Sequence, residues 1–270
     1  MKPIVVIKCG GSSVEQLDKT FFNQLKKLIH AGINPVIVHG GGGEIKQLLH
    51  DLNISSTFID GLRKTTEDMI DVVEMVLGSK VNKTIVRKLH AEHIDAIGLT
   101  GSDGQLLTAQ AKDIKKYGFV GDITKVRRDV LDILFAKNFI PVIAPVAVGF
   151  DGNRLNINGD TAAAAIAIAL QAKRLLFVTD VPGIIHQEEV LTSVTEKDIE
   201  NLIASGVIKD GMLPKVEAAL KSLHGGVEEV QIIDGNQSIT DEQIDFRGTM
   251  LTKEKEVSVG VTKTMLQGVE

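Results

Sequence analysis

Six aliphatic runs of strand length punctuate this chain: IVVI (4–7), PVIVHG (35–40), IDAIGL (94–99), IPVIAPVAV (140–148), RLLFVTDV (174–181) and VEEVQIIDG (227–235). Helix-like segments separate them, and strands alternating with helices predict a largely parallel sheet. The runs are continuously apolar rather than alternating, which predicts strands covered on both faces. The expected fold class is therefore α/β, a three-layer α/β/α sandwich with a central, mostly parallel sheet. A chain of 270 residues suits one large α/β domain or two lobes.

The helices are legible in the same way. SSVEQLDKTFFNQLKKLIHAG (12–32) carries apolar residues at helical spacing and stops at Gly32, where a left-handed glycine commonly ends a helix. TTEDMIDVVEMVLGSKVNKTIVRKLHAE (65–92) opens on a threonine cap followed by acids, both favourable at the positive end of a helix. It predicts about seven turns, with Gly78 as the place for a bend or break. DIKKYGFVGDITKVR (113–127) reads as a β-hairpin or an excursion between helices. Neither an internal repeat nor a linker rich in Pro, Gly or Ser is visible.

Bulk properties narrow the classes. With 43 % hydrophobic and 24 % charged residues the chain is globular, and a net charge of −5 argues against a protein that coats nucleic acid. The single cysteine, Cys9, allows neither an intramolecular disulfide nor a multi-cysteine metal site, which suits a reducing cytosol. MKPIVVIK has too short an apolar run for a signal peptide. No stretch approaches the roughly 20 apolar residues needed to span a bilayer, so a cytoplasmic protein without membrane partners is expected.

Ligands of open parallel sheets sit beyond the carboxyl ends of the strands, and four loops there are unusual. Lys8-Cys9-Gly10-Gly11-Ser12-Ser13 pairs a lysine with glycines that permit close backbone approach to an anion; Lys8 reads equally as a solvated strand end. His39-Gly40-Gly41-Gly42-Gly43-Glu44 spends four glycines on one strand-to-helix turn, more than a tight turn needs, while His39 is expected to cap or pack rather than to act as an acid or base. In Leu155-Asn156-Ile157-Asn158-Gly159-Asp160-Thr161, Asp160 or Thr161 could cap the Ala-rich helix that comes next, and Asn156 and Asn158 would share one side of a strand, offering amides to a polar ligand. In Ile208-Lys209-Asp210-Gly211-Met212-Leu213-Pro214-Lys215, Pro214 fits a first helical turn and sets Lys215 against the helix dipole, a conflict that bound phosphate would remove. Arg63, just ahead of the helix that starts near Thr65, could clamp a carboxylate through two parallel hydrogen bonds or form a surface salt bridge.

Familiar nucleotide fingerprints fail. Read from Gly40 or Gly41, the pattern G-x-G-x-x-G requires glycine where Ile45 or Lys46 stands, and the chain holds no Gly-Lys dipeptide for a P-loop. Two lysines, a glycine-rich anion site, an arginine and one carboxylate are nevertheless the parts needed to move a phosphoryl group onto an acid, chemistry that depends on positioning and charge neutralisation. A carboxylate acceptor with a pKa near ~4.3 is already ionised at neutral pH and needs no general base.

The ordered series IKCGG, VHGGGGEI, GLRKTTEDMIDVVEMVLGSKVNK, GLTGSDG, GFVGDI, NINGDTAAAAIA, VTDVPGI and GVIKDGMLPKVEAAL resembles the amino acid kinase family over nearly the whole chain. The resemblance extends to the branch that makes an acyl phosphate in arginine biosynthesis. It implies ATP-dependent phosphorylation of the γ-carboxylate of N-acetyl-L-glutamate. It further implies that Lys8 and Lys215 stabilise the transferring phosphoryl group with Asp160 organising them. Gly41 and Gly42 would contact the acid, Arg63 would hold its carboxylate, Asn156 would also touch it, and Asn158 would lie near the reacting groups. Gly10 and Gly11 would lie by the phosphates, and Asp180, Val181, Pro182, Gly183, Ile184, Lys209, Asp210, Gly211 and Met212 would bind the nucleotide. Magnesium would travel mainly on the nucleotide phosphates rather than in a protein cage.

One domain over 1–270 is implied, with an acid-binding and dimerising lobe near 1–173 and an ATP lobe near 174–270. A homodimer insensitive to arginine is implied as well, because Lys8 comes almost directly after Met1. KCGGSSV is also similar to an aspartokinase opening, Asn236 stands where the family more often has arginine, and the tail runs past the usual ending. The rival readings are a sister kinase acting on N-acetyl-aminoadipate, aspartate or carbamate, a sensor without catalysis, and a dinucleotide oxidoreductase.

Overall fold

The protein is described from a computed structural model covering residues 2–10, 17–234 and 248–253, so that Gly11, Asn236 and the tail 254–270 lie outside the described residues. Eight strands form the central sheet in the order Ser193–Thr195, Gly248–Thr252, Glu229–Asp234, Arg174–Thr179, Ile4–Cys9, Asn34–His39, Ile140–Ala144, Ala96–Thr100. Pairing is parallel except where Gly248–Thr252 runs against Glu229–Asp234. All six aliphatic runs therefore contribute strands to this sheet. The first strand lies at its centre, where the two halves of the chain diverge and a crevice opens beyond the strand ends.

Side-chain parity along that first strand decides which way Lys8 points. Ile4 and Val6 join the core that contains the Ala-rich helix Gly159–Leu170, whereas Val5, Ile7 and Cys9 face the core beneath helix Lys19–His30. Because successive residues of a strand point to opposite faces, Lys8 is directed to the side of the Ala-rich helix. That helix has Ala162, Ala163, Ala164, Ile166, Ala167 and Leu170 buried, and it packs on the first strand and on helix Leu213–His224. Its small side chains let three elements converge closely.

Several predicted boundaries are corrected. The first helix runs from Lys19 to His30 with Asp18 as its cap, the Asp18 carboxylate accepting from the Phe21 amide at 3.0 Å, so Leu17 and Asp18 are not helical and 11–16 lie outside the described residues. Gly32 does take the left-handed conformation expected of the stop, with φ +74°. The run 140–148 is two strands: Ile140–Ala144 stays in the main sheet, and Val146–Gly149 enters a four-stranded sheet with Arg154–Asn156, Leu107–Ala111 and Gly121–Val126. Pro145 lies at the break, where its missing N–H interrupts a ladder. The segment 113–127 holds a short helix, Ile114–Tyr117, and then strand Gly121–Val126, which pairs with Leu107–Ala111.

The long helix near 65–92 continues through Gly78 with a change of winding. It runs as α-helix Glu67–Glu74, as π-helix Met75–Val81, and again as α-helix Asn82–Ala91. Thr66 occupies the cap position, although its side chain makes no capping hydrogen bond, and Glu67 and Asp68 fill the first turn. A Cβ at Gly78 would stand 2.9 Å from Thr100 Cγ2, so glycine there admits close packing of the helix on the last strand. Extended π stretches are rare and tend to mark functional sites.

Candidate active site

The Ala-rich helix is capped by Asn158, whose Oδ1 accepts from the Asp160 amide at 2.9 Å and the Thr161 amide at 3.1 Å. Neither Asp160 nor Thr161 is the cap, and strand Arg154–Asn156 ends before Asn158, so the two asparagines do not sit on one strand. Capping by Asn158 leaves the Asp160 carboxylate available, and the helix start aims it at the face that Lys8 shares. Lys8 Nζ stands 2.8 Å from Asp160 Oδ1 and Lys215 Nζ stands 3.3 Å from Asp160 Oδ2. Lys8 and Asp160 are 6 % and 5 % exposed.

A buried carboxylate between two ammonium groups carries net positive charge around it. Although Lys8 is within ion-pair distance of Oδ1, that oxygen accepts no well-aligned hydrogen bond. The close charge contact holds the groups together, and each ammonium, with three N–H donors, keeps donors beyond the one facing Asp160 with which to meet an anion. Lys215 lies in the first turn of helix Leu213–His224 behind Pro214, as its sequence predicts, and its unfavourable place on the helix dipole is offset by Asp160.

A cleft of about 220 Å³ opens beside this trio. Lys8, Gly41, Gly42, Arg63, Asn156, Asn158 and Asp160 all line it, joined by Gly40, Gly159, Pro145 and the apolar Ile45, Phe58, Leu62, Leu77, Val120 and Ile157. Gly41 and Gly42 begin helix Gly42–Asp51, where first-turn amides have no intrahelical acceptor. A Cβ on Gly41 would stand 2.6 Å from Leu77 Cδ2, so glycine lets the π-helix pack against this turn without displacing that side chain.

Arg63 lies in the hairpin formed by Phe58–Ile59 and Leu62–Arg63. It is 8 % exposed, its guanidinium lies 4.7 Å from the Phe58 ring centre, and it donates to the Gly42 carbonyl at 3.1 Å and to the Ser56 hydroxyl. Burial lowers the Arg63 pKa, yet a guanidinium stays charged at any working pH. Asn156 donates to the Thr65 hydroxyl at 3.0 Å. Two turn residues of the hairpin have positive φ, Asp60 and Gly61, and Asp60 accepts from Lys116 and from the Tyr117 hydroxyl, both at 2.6 Å. The hairpin tip also comes near Pro214, the neighbour of Lys215.

Among the described residues, Lys215, Gly10, Asp180–Ile184, Lys209, Gly211 and Met212 are not part of the wall of this cleft. Gly10 comes directly after the first strand, its amide donating to the Val178 carbonyl at 3.2 Å. Asp180, Val181, Pro182, Gly183 and Ile184 leave strand Arg174–Thr179; Asp180 accepts from Thr179, and the Ile184 amide donates to Thr249 at 2.8 Å. Lys209 precedes the 3-10 turn Asp210–Met212, and the Gly211 carbonyl lies 3.5 Å from Lys215 Nζ. These two loops adjoin the strand and helix that flank the lysine pair.

Sequence reasoning passed over Thr65, Phe58 and Asn82. Thr65 and Asn82 are fully buried polar residues; from sequence Thr65 reads as a helix cap, and Asn82 carries no signal of its own within the long helix. His39 is expected to pack, and it does: it is fully buried and burial lowers its pKa to about 4, leaving a neutral ring.

The fold and this lysine–carboxylate–glycine cleft define a phosphotransferase class: residues 3–234 match the model of the amino acid kinase family, and the chain belongs to that family. Among curated relatives it is 46 % identical over 254 residues to acetylglutamate kinase of Geobacillus thermodenitrificans, covering 94 % of this chain and 98 % of that one. It is 44 % identical over 254 residues to acetylglutamate kinase of Halalkalibacterium halodurans, with the same shares covered. Among solved structures, smu.665 from Streptococcus mutans UA159 superposes with a TM-score of 0.87 at 34 % identity, covering 94 % of this chain and 100 % of that one. Carbamate kinase from Giardia lamblia bound to AMP-PNP shares the fold at a TM-score of 0.66 and 18 % identity, covering 94 % and 99 %.

Proposed function

We propose that the chain transfers the γ-phosphoryl group of ATP to the γ-carboxylate of N-acetyl-L-glutamate, yielding N-acetyl-L-glutamyl 5-phosphate for arginine biosynthesis. The observation that carries this reading is the Lys8–Asp160–Lys215 trio, of which Lys8 and Asp160 line a cleft together with Arg63 and the Gly41–Gly42 turn. Full-length similarity to acetylglutamate kinases supports the choice of acid.

Each group has a role that its surroundings favour. Arg63 swings from Ser56 and Gly42 to pair with a substrate carboxylate, and Asn156 contacts the same molecule. The Gly41 and Gly42 amides approach the acid, Asn158 lies close to the reacting groups, and an already ionised acceptor carboxylate attacks phosphorus without a base. Lys8 and Lys215 neutralise charge on the transferring group while Asp160 keeps the two ammonium groups from separating. Asp180–Ile184 and Lys209–Met212 take the nucleotide, with Gly10 and Gly11 of the first lobe near its phosphates, so that a lobe near 1–173 chiefly holds the acid and one near 174–270 chiefly holds ATP.

The donor set suits this division. Ammonium and amide N–H groups match phosphate oxygens, and Asp160 is committed to two lysines rather than to a metal ion. Magnesium bound to the nucleotide phosphates supplies further charge neutralisation. A cytoplasmic homodimer joined through the first lobe accompanies this reading; the exposed Met75 and Phe150 are apolar side chains of that lobe, and light scattering of the purified chain tests it.

The deciding experiment measures ADP release that depends on N-acetyl-L-glutamate, with hydroxylamine trapping of the acyl phosphate. Lys8→Ala should lower turnover by at least about 10²-fold, the scale of losing one preorganised charge-stabilising donor. Normal turnover by Lys8→Ala, or activity with N-acetyl-aminoadipate, aspartate or carbamate in place of N-acetyl-L-glutamate, overturns the assignment.

A further inference from the structure

The glycine turn of the cleft is held from behind by a chain of hydrogen bonds whose direction can be worked out from its far end. Lys83 Nζ, which can only donate, lies 2.9 Å from the Gly98 carbonyl and 3.2 Å from Asn82 Oδ1, and so identifies that end of the Asn82 amide as oxygen. The other end, Nδ2, then donates to the Val142 carbonyl at 2.9 Å and meets His39 Nε2 at 3.1 Å. Facing an N–H donor, Nε2 must be the acceptor. The imidazole proton is therefore on Nδ1, which is 2.9 Å from the Gly40 carbonyl and donates to it.

That last bond fixes a peptide plane. The carbonyl of Gly40 and the N–H of Gly41 belong to one trans peptide and point in opposite directions. Pulling the carbonyl toward buried His39 turns the Gly41 amide the other way, and Gly40 and Gly41 both line the cleft.

We propose that Asn82 and His39 are positioning residues, Asn82 selecting the Nδ1–H tautomer of His39 and His39 orienting the Gly40–Gly41 peptide so that its N–H meets the acid substrate. The inference rests on the reading of this cleft as the acid site. The structure reserves space for the device: a Cβ at Gly98 would lie 1.8 Å from Asn82 Oδ1 and 2.8 Å from Lys83 Nζ, so glycine in that strand is what allows Asn82 to reach the strand ends. The π-helix Met75–Val81 directly precedes Asn82 and sets the rotation at which the amide faces inward.

The test has a spectroscopic arm and a kinetic arm. Two-bond proton–nitrogen spectra of 15N-labelled wild-type protein should show His39 with a protonated Nδ1 and an unprotonated Nε2 at neutral pH. His39→Asn keeps a side-chain N–H near the Nδ1 position, whereas His39→Gln places its amide near Nε2. His39→Gln should raise KM for N-acetyl-L-glutamate about tenfold, the scale of one lost oriented hydrogen bond, with kcat changed less, and His39→Asn should recover most of the loss. Gly98→Ala, which displaces Asn82 without touching the cleft, should shift KM as His39→Gln does.

An Nε2–H tautomer in wild-type protein overturns the proposal without any variant. Equal, wild-type KM values for His39→Gln and His39→Asn overturn it as well. Failure of the wild type to turn over N-acetyl-L-glutamate removes the site reading instead, and leaves the tautomer result to decide whether Asn82 directs His39.

Discussion

Lys215 reaches Asp160 from a helix that starts more than fifty residues later in the chain, its Nζ 3.3 Å from the oxygen that Lys8 does not face. One carboxylate thus sets the separation of two cations drawn from opposite ends of the sequence. If Asp160 acts as that spacer, Asp160→Asn keeps the shape but leaves two ammonium groups repelling each other beside the cleft. Turnover should fall about 10²-fold or more, measured as ADP release. Wild-type turnover in this variant would remove Asp160 from the site.

Arg63 is already buried by protein before any acid arrives, with Phe58 on its face and two oxygen acceptors at its rim. Arg63→Lys keeps the charge but loses the planar fork. The expected result is a KM for the acid raised by about tenfold or more while kcat falls less, the pattern of lost ground-state binding. An equal fall in kcat and kcat/KM would place Arg63 at the transition state instead.

Gly41 has ordinary extended φ, so its need for glycine is a matter of space: Leu77 Cδ2 and Val81 Cγ2 would stand 2.6 Å and 3.2 Å from a new Cβ. Gly41→Ala should cost about 1–3 kcal/mol of stability by overpacking. Leu77→Ala in the same chain should relieve part of that cost, so a double-mutant cycle from urea unfolding should show coupling between the two sites. Strict additivity would mean that the turn and the π-helix do not press on each other.

Cys9 and His39 make predictions about pH. Burial pushes the Cys9 thiol up to about 12 from an unfolded value near 9.0, so the folded state holds a proton that the unfolded chain releases, and this contribution to stability declines as pH rises above about 9. At pH 8 a thiol reagent should label Cys9 at the rate of unfolding. Burial lowers His39 to about 4 from 6.5, so the unfolded chain takes up the proton first and stability declines as pH falls from about 6.5 toward 4. Denaturant titrations of wild type and His39→Asn should differ in that acidic window, and matching acid slopes would contradict a buried neutral ring.

The layered fold was legible because strand-length apolar runs and helical periodicity repeat without ambiguity, whereas IVVIKC is apolar on both faces and left open which one Lys8 joins until the two cores separated them. Sequence could not show that Asn158 rather than Asp160 caps the Ala-rich helix, since both residue types cap well and the choice depends on where two distant lysines wait. Nor could it show that IPVIAPVAV splits between two sheets, although Pro145 marks the point. Asn82 was invisible for a different reason. In a regular α-helix its position is read from its neighbours by 3.6-residue spacing, and the π stretch before it resets that count.

The π stretch Met75–Val81 also bears on which length changes the chain tolerates. Each residue of an α-helix turns the axis by about 100° and advances it about 1.5 Å, so removing one residue between Met75 and Val81 would rotate everything after it by roughly a quarter turn. Asn82 would swing off His39, and Leu77 or its replacement would no longer fit the space beside Gly41. Deletions that most helices absorb as a local shift would here detune a glycine loop on a neighbouring strand, so the number of residues in this segment is as tightly constrained as their identity.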